Sequence, residues 1–227
     1  MKLRLLAAAV AALTLSAGIA VAQDTTSEKG KLSYALGYDL GRGSVDSGEA
    51  LDINTIIKGL QDGFAKRDPA VPVDDLRTAV QNMQQRQAAR AKANWDKAAT
   101  ENATRSNQFI AQYRGGTGVR TLPGGALYKV MQTGNGAKPN ANSTVQLQVL
   151  GPFPFGQRPQ QAPAPQSTSM KISEVELPAM REVLTNMNAG SKWEVVLPAD
   201  KAYGADPRSG FPPNVAVQFE IQLMSVQ

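Results

Sequence analysis

The feature that most restricts the fold of this chain is a run of about 40 residues that contains no proline and no glycine. It extends from Asp74 to Tyr113, and acidic residues in its first turn favour a helix start there. As a single helix it would be about 60 Å long, at a rise of about 1.5 Å per residue. Its apolar residues are sparse, so no core can surround it. We expect a solvated connecting helix whose apolar ends dock at each terminus.

Two shorter amphipathic helices are predicted ahead of the connecting helix. In the first, apolar residues over 32–40 recur at spacings of three and four, while Gly37 and Gly41 form an adjacent stripe that allows close approach of another backbone. In the second, over 52–64, apolar residues repeat behind an acidic start. These helices have too little partner surface for a stable monomeric unit. We therefore expect an intertwined homodimer that buries them.

From residue 117 onward the hydrophobic pattern changes to that of strands. Strands are predicted over 127–132, 145–149, 192–198 and 215–223. One short helix, over 178–187, lies among them with a proline at the favoured first position. This inventory fits a sheet curled around one helix. The whole chain is therefore predicted to be α+β.

The amino end has the organisation of a secretory signal peptide. Residues 1–22 place Lys2 and Arg4 ahead of an apolar stretch and end in Ala20-Val21-Ala22, a small-x-small cleavage pattern. An uncleaved anchor is the alternative, although the apolar stretch is short for a span of about 20 residues. The cleavage point carries no lipoprotein cysteine. We therefore expect a periplasmic or extracellular protein without a stable membrane anchor.

Histidine and cysteine are both absent, which limits the chemistry available to the chain. Disulfide scaffolds, thiol nucleophiles, Ser-His-Asp triads and the usual zinc sites are excluded, and we expect neither a metal nor another cofactor. The formal net charge of +5 falls to +3 when two of the 24 basic residues leave with the signal peptide. No basic run interleaved with aromatic residues follows, so we expect no nucleic-acid partner.

Six short motifs occur in a fixed order along the mature chain. They are KLSYALG at 31–37, LPGGALYKV at 122–130, GNGAKP at 134–139, AYG at 202–204, FPPN at 211–214 and FEIQL at 219–223. Each motif is weak by itself, but the order and spacing are specific. Together they resemble the FKBP-type peptidyl-prolyl cis-trans isomerases, in the two-domain secreted form typified by the macrophage infectivity potentiator (Mip).

The resemblance implies a division into four segments. These are a signal peptide at 1–22, an N-terminal helical dimerisation domain at 23–72, a long linker helix at 73–116 and an FKBP-like domain at 117–227. The implied fold is an N-terminal helical unit with a long connecting helix, followed by a curled antiparallel sheet around one short helix. The implied activity is isomerisation of X-Pro bonds in unfolded or proline-containing polypeptides. Rotation of an amide requires no proton transfer, which suits a chain without histidine and cysteine.

The resemblance also assigns the site residues. Tyr203 takes the catalytic position, where its hydroxyl donates a hydrogen bond to the substrate carbonyl. The expected substrate-binding residues are Leu177, Phe211, Phe219, Met180 and Val149. Leu177 would contact ligand through its backbone amide, whereas Met180 and Val149 stand where the family has a tryptophan and a tyrosine. Ordinary core packing is the alternative for Phe219, Leu177 and Met180, and an ordinary loop tyrosine is the alternative for Tyr203.

Further family positions of the pocket are changed. Pro159-Gln160 replaces the family's Phe-Asp pair, and Glu176 replaces a valine. The position of a wall phenylalanine in the family falls near Lys171 in this chain. We therefore expect an isomerase with weakened activity. The alternative is a non-catalytic dimeric chaperone or interaction module that retains the FKBP fold.

The missing pair lies in a proline-rich segment that holds five of the 14 prolines between residues 152 and 165. Because proline cannot donate to a sheet ladder, we expect an extended, polyproline-like loop in place of the family's flap strand. In one hypothesis Phe153 and Phe155 rebuild the lost wall, or a loop proline occupies the pocket as a pseudosubstrate. The alternative is a solvated linker with no catalytic part.

Overall fold

A computed structural model of the chain describes residues 24–161 and 164–227. The predicted signal peptide lies outside the described residues. By internal contacts the chain divides into two compact units, one ending at Gln84 and the other beginning at Gln85. Among the helices of the described residues, none is both long and apolar enough to cross a membrane.

The first unit contains helices α1 (Glu28–Asp46) and α2 (Ile53–Phe64) and the start of α3 (Val73–Arg114). The side chains of Ser27 and Asp52 begin the first two helices, because each accepts a hydrogen bond from a backbone N–H three residues later. Both predicted helices are confirmed. In the single chain their apolar side chains remain exposed, namely Leu32, Tyr34, Leu36, Tyr38, Leu40, Ile53, Ile57, Leu60 and Phe64.

Helix α3 confirms the long proline-free helix, but its surroundings differ from the expectation. Its C-terminal part belongs to the second unit and contacts the rest of that unit along about four turns, from Ala99 to Tyr113, and not only at the apolar end. Several of these contacts are made by polar side chains, among them Asn102 and Ser106. A hydropathy pattern does not reveal such contacts, and for this reason the sequence predicted that this half of the helix is solvated.

Besides the C-terminal part of α3, the second unit contains a six-stranded antiparallel sheet and one short helix, α4 (Pro178–Asn186). Its strands are β1 (Val119–Thr121), β2 (Leu127–Gln132), β3 (Thr144–Pro154), β4 (Gln166–Lys171), β5 (Lys192–Leu197) and β6 (Val217–Val226). They lie in the order β1-β2-β5-β6-β3-β4. The predicted α+β architecture, with an antiparallel sheet and one short helix, is confirmed.

The core of the second unit lies between α4 and one face of the sheet, which we call the inner face. Val183 and Leu184 of α4 belong to one buried cluster with Ile221 and Leu223 of β6. On β6 these residues alternate with Gln218, Glu220 and Gln222, which point to the outer face. The period-2 pattern of the sequence therefore marks the two faces correctly.

Two features of the sheet differ from the sequence expectation. Strands β1 and β4 were not predicted, since β1 is only three residues long and β4 is mostly polar. The proline-rich loop is also shorter than expected, because Pro152 and Pro154 belong to the end of β3. There β3 pairs with β6 alone, since its pairing with β4 ends at Val149. Prolines are tolerated where one side of a strand has no ladder partner.

Candidate functional site

Tyr203 and Phe211 form an aromatic pair at the edge of the inner-face core. Tyr203 lies in the loop between two short 3-10 turns, Ala199–Lys201 and Pro207–Ser209, and Phe211 follows the second turn. Their ring centroids are 4.6 Å apart with an interplanar angle of 27°. Both side chains are half-buried and pack against the core cluster. Such a stack fixes the position of the tyrosine hydroxyl relative to an apolar surface.

The other expected site residues surround the same cluster. Phe219 on β6 and Met180 on α4 are buried members of it, whereas Val149 and Leu177 are half-buried and pack against it. Val149 lies opposite Ile221, on the inner face of β3. The structure therefore brings all six expected site residues to one apolar cluster, with Tyr203 supplying the polar group.

Leu177 provides a backbone group at the start of α4. Its carbonyl accepts hydrogen bonds from Met180 N at 3.0 Å and from Arg181 N at 3.2 Å. Its own N–H has no hydrogen-bond partner within the described residues. Because the first N–H groups of a helix have no intrahelical acceptor, this N–H can donate a hydrogen bond to the carbonyl of a ligand.

The electrostatic surroundings of Tyr203 favour its protonated form. Burial raises the pKa of Tyr203 above its usual value, and the negative charge of Glu176 raises that pKa further. The hydroxyl therefore remains a hydrogen-bond donor throughout the physiological range. The sequence identified Glu176 only as a departure from the family's valine, and its charge effect on Tyr203 follows from the three-dimensional arrangement.

Gly151 leaves room for the ring of Phe219. Gly151 has a φ of +117°, and a Cβ at this position would lie 3.1 Å from Phe219 Cδ1 and 2.8 Å from the carbonyl oxygen of Gln218. Only glycine adopts this backbone conformation readily and leaves room for the ring. The close approach of β3 to β6 at Gly151 thus positions one wall of the candidate site.

Comparisons with known proteins agree with this geometry. Residues 29–130 match a family described as the domain amino terminal to FKBP-type peptidyl-prolyl isomerase, and residues 136–224 match the FKBP-type peptidyl-prolyl cis-trans isomerase family. The outer membrane protein MIP of Legionella longbeachae is 34% identical over 235 residues, which cover 100% of this chain and 99% of that protein. The chain belongs to the FKBP-type peptidyl-prolyl cis-trans isomerase family.

Two further relatives of this FKBP-type chain come from Escherichia coli. The FKBP-type peptidyl-prolyl cis-trans isomerase FkpA of strain K12 is 28% identical over 87% of this chain and 75% of its own. The crystal structure of FkpA from Escherichia coli superimposes with a TM-score of 0.66 at 26% identity, and covers 89% of this chain and 98% of that one. The resemblance stated from the motifs is thereby confirmed.

The proline-rich segment of this FKBP-type chain begins on the outer face of the sheet. Phe153 is 4% exposed and lies opposite Gln218, so it shares the face that also carries Glu220. The Arg158 guanidinium lies 5.3 Å from the centre of the Phe153 ring. The hypothesis that Phe153 rebuilds the missing wall is therefore wrong, because the side chain points away from the inner-face core.

Phe155 contacts both helix α3 and the core cluster. The Cζ atom of the Arg105 guanidinium lies 4.1 Å from the centre of the Phe155 ring, and the half-buried side chain also packs against the core cluster. The neighbouring Gly156 approaches Phe109 of α3 so closely that a Cβ would lie 2.8 Å from the ring. Phe155 and Gly156 thus join the end of β3 to the connecting helix.

An ion-pair cluster on the outer face includes Arg158 of the segment. Arg158 binds the Glu220 carboxylate at 3.0 Å, and Lys192 binds the same carboxylate at 2.5 Å. These partners lower the pKa of Glu220, the Lys192 hydrogen bond being the largest cause. At the far end of the segment, Pro165 lines a small cleft with Lys192 and Glu220. Both described ends of the loop therefore lie on the outer face, across the sheet from Tyr203.

Residues at the remaining changed positions lie at the surface. Pro159, Gln160, Lys171 and Glu176 are all exposed. In residues 24–161 and 164–227 no group of three or more acidic side chains is placed to hold a metal ion. The groups that the structure brings together at the candidate site are apolar side chains, one phenol and one backbone amide.

Proposed function

We propose that the mature chain is a periplasmic folding factor that isomerises X-Pro bonds of unfolded polypeptides, with weakened activity. The observation that carries the proposal is the Tyr203–Phe211 stack at the edge of an apolar cluster that also contains Phe219. A phenol donor beside an apolar surface is what binding of a twisted prolyl amide requires.

The chemistry follows from the electronic structure of the amide. Resonance makes a planar amide polar, and rotation about the C–N bond removes that resonance. Apolar surroundings therefore favour the twisted form over the planar one, and a site complementary to it lowers the barrier. The Tyr203 hydroxyl and the Leu177 N–H would bind the substrate carbonyl, while Phe211, Phe219, Met180 and Val149 would contact the proline ring.

The reduced activity follows from lost aromatic surface. Val149 and Met180 replace a tyrosine and a tryptophan of the family pattern. Pro159 and Gln160 replace the Phe-Asp pair, and both are exposed. Aromatic side chains contribute large, rigid contact areas to such walls. A pocket without them makes fewer contacts with the twisted proline, and its transition-state binding falls accordingly.

The test measures cis to trans rates of a Phe-Pro peptide with the mature 23–227 protein. We expect the wild-type rate to exceed the uncatalysed rate. For Tyr203→Phe we expect kcat/KM to fall roughly 3- to 10-fold, which corresponds to the loss of one hydrogen bond. Tyr128→Phe is the control, because Tyr128 stacks on Trp193 within the same unit. No acceleration by the wild-type protein, or equal rates for both variants, would contradict the catalytic assignment.

A non-catalytic chaperone is the second candidate, favoured by the exposed apolar faces of α1 and α2. Suppression of aggregation of an unfolded protein separates the two functions. If Tyr203→Phe lowers peptide isomerisation but leaves suppression unchanged, the chaperone activity is independent of the site. Equal losses of both activities would contradict a separate chaperone function.

The location and the dimer belong to the same proposal. The signal-peptide pattern of residues 1–22 and the absence of a cysteine at its end support export without lipid attachment. Cell fractionation with sequencing of the mature amino terminus tests this, and the expected first residue is Gln23. The exposed apolar residues of α1 and α2 support a homodimer through these helices, since such a surface is stable when a second copy covers it.

A further inference from the structure

Helix α3 binds the segment that follows Phe211 through a buried serine. Ser106 is 3% exposed. Its hydroxyl donates to the carbonyl of Asn214 at 2.7 Å and accepts from the backbone N–H of Ala216 at 2.8 Å. A serine in the middle of a helix ordinarily bonds its own helix or water, so this pair of bonds specifically ties α3 to the 213–216 backbone.

Two side-chain amides complete the contact. Asn102 Nδ2 donates to the carbonyl of Pro213 at 3.0 Å, and Asn214 Nδ2 donates to the carbonyl of Ala99 at 3.2 Å. Pro212 and Pro213 have no N–H groups, so this segment cannot form a regular ladder of its own. We call Asn102, Ser106 and Asn214 the polar clamp.

The polar clamp is directly connected to the candidate site. Asn214 has a φ of +55°, a left-handed conformation that asparagine tolerates better than most residues. In this conformation its backbone N–H donates to the carbonyl of Gly204 at 2.7 Å. Gly204 follows Tyr203 in sequence, and Phe211 precedes Asn214 by three residues. The clamp therefore holds both ends of the loop that brings the two stacked rings together.

We propose that Asn102, Ser106 and Asn214 are positioning residues for the isomerase reaction: helix α3 sets the position of Tyr203 relative to Phe211 through the polar clamp. This rests on the proposed role of Tyr203 as the hydrogen-bond donor. The connecting helix then determines the geometry of the isomerase site in addition to linking the two units. Loss of the clamp leaves the core of the sheet intact but lets the 203–214 loop move.

The experiment compares Ser106→Ala and Asn102→Ala in the mature 23–227 protein with two matched controls on the same helix. Thr104→Ala removes a hydroxyl that bonds only within α3, and Asn107→Ala removes an exposed amide. The readouts are kcat and KM for a Phe-Pro peptide, amide hydrogen exchange at Asn214, and the NMR shifts of the Tyr203 ring.

For each clamp variant we expect kcat/KM to fall about 3- to 10-fold, mainly through kcat, with faster exchange at Asn214 and shifted Tyr203 ring signals. Amides of β5 and β6 should keep their protection, and both controls should match the wild type. Unchanged Asn214 exchange and unchanged kcat/KM in both clamp variants overturn the proposal. So does equal loss of protection in β6 and at Asn214, because that result indicates general destabilisation.

A failure of the proposed function can be told apart from a failure of the clamp. If the wild-type protein does not accelerate peptide isomerisation, the catalytic assignment fails and no kinetic comparison is made. The polar clamp is then tested by hydrogen exchange at Asn214 and by the NMR signals of the Tyr203 ring. Faster Asn214 exchange together with shifted Tyr203 ring signals supports positioning of the tyrosine by α3, and unchanged ring signals refute it.

Discussion

The Arg158 guanidinium binds the Glu220 carboxylate at 3.0 Å on the face of the sheet that lies opposite α4. Phe153 packs beneath the same guanidinium, and Lys192 completes the cluster. A long segment rich in proline would otherwise be free to move, because prolines contribute no ladder bonds. The ion pair therefore holds Arg158 on the outer face, and Pro165 lies on the same face, so neither described end of the segment obstructs the Tyr203 side of the sheet.

The first prediction concerns shortening of this proline-rich loop. Replacement of residues 157–164 by a short Gly-Ser link should leave kcat/KM for a Phe-Pro peptide within about two-fold of wild type, because Arg158 and Pro165 lie across the sheet from Tyr203. Arg158→Ala, which removes the ion pair but keeps the loop, is the matched control. A clear rise in rate for the shortened chain would instead support the pseudosubstrate hypothesis.

The second prediction is a pH-dependent contribution of Glu220 to stability. Lys192 and Arg158 lower the pKa of Glu220 in the folded state. A lowered folded pKa stabilises the protein above the unfolded pKa of about 4.3, and this contribution is lost as pH falls through the folded pKa. Glu220→Gln should therefore cost about 1 kcal/mol at pH 7 and progressively less toward pH 3.

Urea unfolding of the Glu220→Gln variant over this pH range provides the measurement. Glu174→Gln is a suitable control, since Glu174 is exposed and forms none of these ion pairs. If the stability difference between wild type and Glu220→Gln were independent of pH, the carboxylate would not be stabilised by its ion pairs.

Elements with a strong hydrophobic period could be predicted from the sequence. Helix α2 and strand β6 carry clear periods of 3.6 and 2, and both lie close to where the pattern placed them. The six residues that the resemblance assigns to the site lie in or against one apolar cluster, and their role in substrate binding stays a prediction. Both the periodicity and the motifs are formed by residues that lie close together in the sequence.

Features that depend on distant polar partners could not be predicted. Strand β4 is largely polar and is defined by its pairing with β3. The bond between Ser106 and Asn214 joins residues 108 apart, and a single serine in a helix gives no sequence signal. The same applies to Glu176, whose influence on Tyr203 depends on the folding of two loops.

The third prediction concerns Glu176 and the titration of Tyr203. Because the negative charge of Glu176 contributes to the raised pKa of Tyr203, Glu176→Gln should lower that pKa relative to wild type. The lower pKa of Tyr203 should not change isomerase activity at pH 7, because the phenol is still protonated at that pH. Alkaline titration of the Tyr203 ring by NMR is the measurement, with Glu174→Gln as the control. An unchanged or higher pKa would contradict this electrostatic effect of Glu176 on Tyr203.

The fourth prediction concerns Gly151. Gly151→Ala places a methyl group 2.8 Å from the Gln218 carbonyl and 3.1 Å from Phe219, at a φ of +117°. We expect a loss of about 2–3 kcal/mol in unfolding free energy and a lower kcat/KM, because Phe219 must move. Gly210→Ala is the matched control: its φ is +67°, but no atom lies within 4 Å of the added Cβ, so only backbone strain of about 1 kcal/mol is expected. Equal losses for both variants would argue against a special fit at Gly151.

The fifth prediction tests the homodimer through α2. Ile53, Ile57, Leu60 and Phe64 form an apolar face that is 44–92% exposed in the single chain. A charge introduced into a buried interface without a partner is strongly unfavourable. Ile57→Asp should therefore reduce the solution mass from about twice that of the mature chain to that of one copy.

Light scattering of the purified mature protein gives the masses, and Asn107→Asp adds the same charge at an exposed position of α3 as a control. Isomerisation of a short peptide should be unaffected by Ile57→Asp, because α2 contributes no residue to the Tyr203 cluster. Suppression of aggregation of a large unfolded client should fall if two linked sites act on one client. A wild-type mass of one chain would refute the dimer, and unchanged suppression by the monomeric variant would show that pairing does not assist client binding.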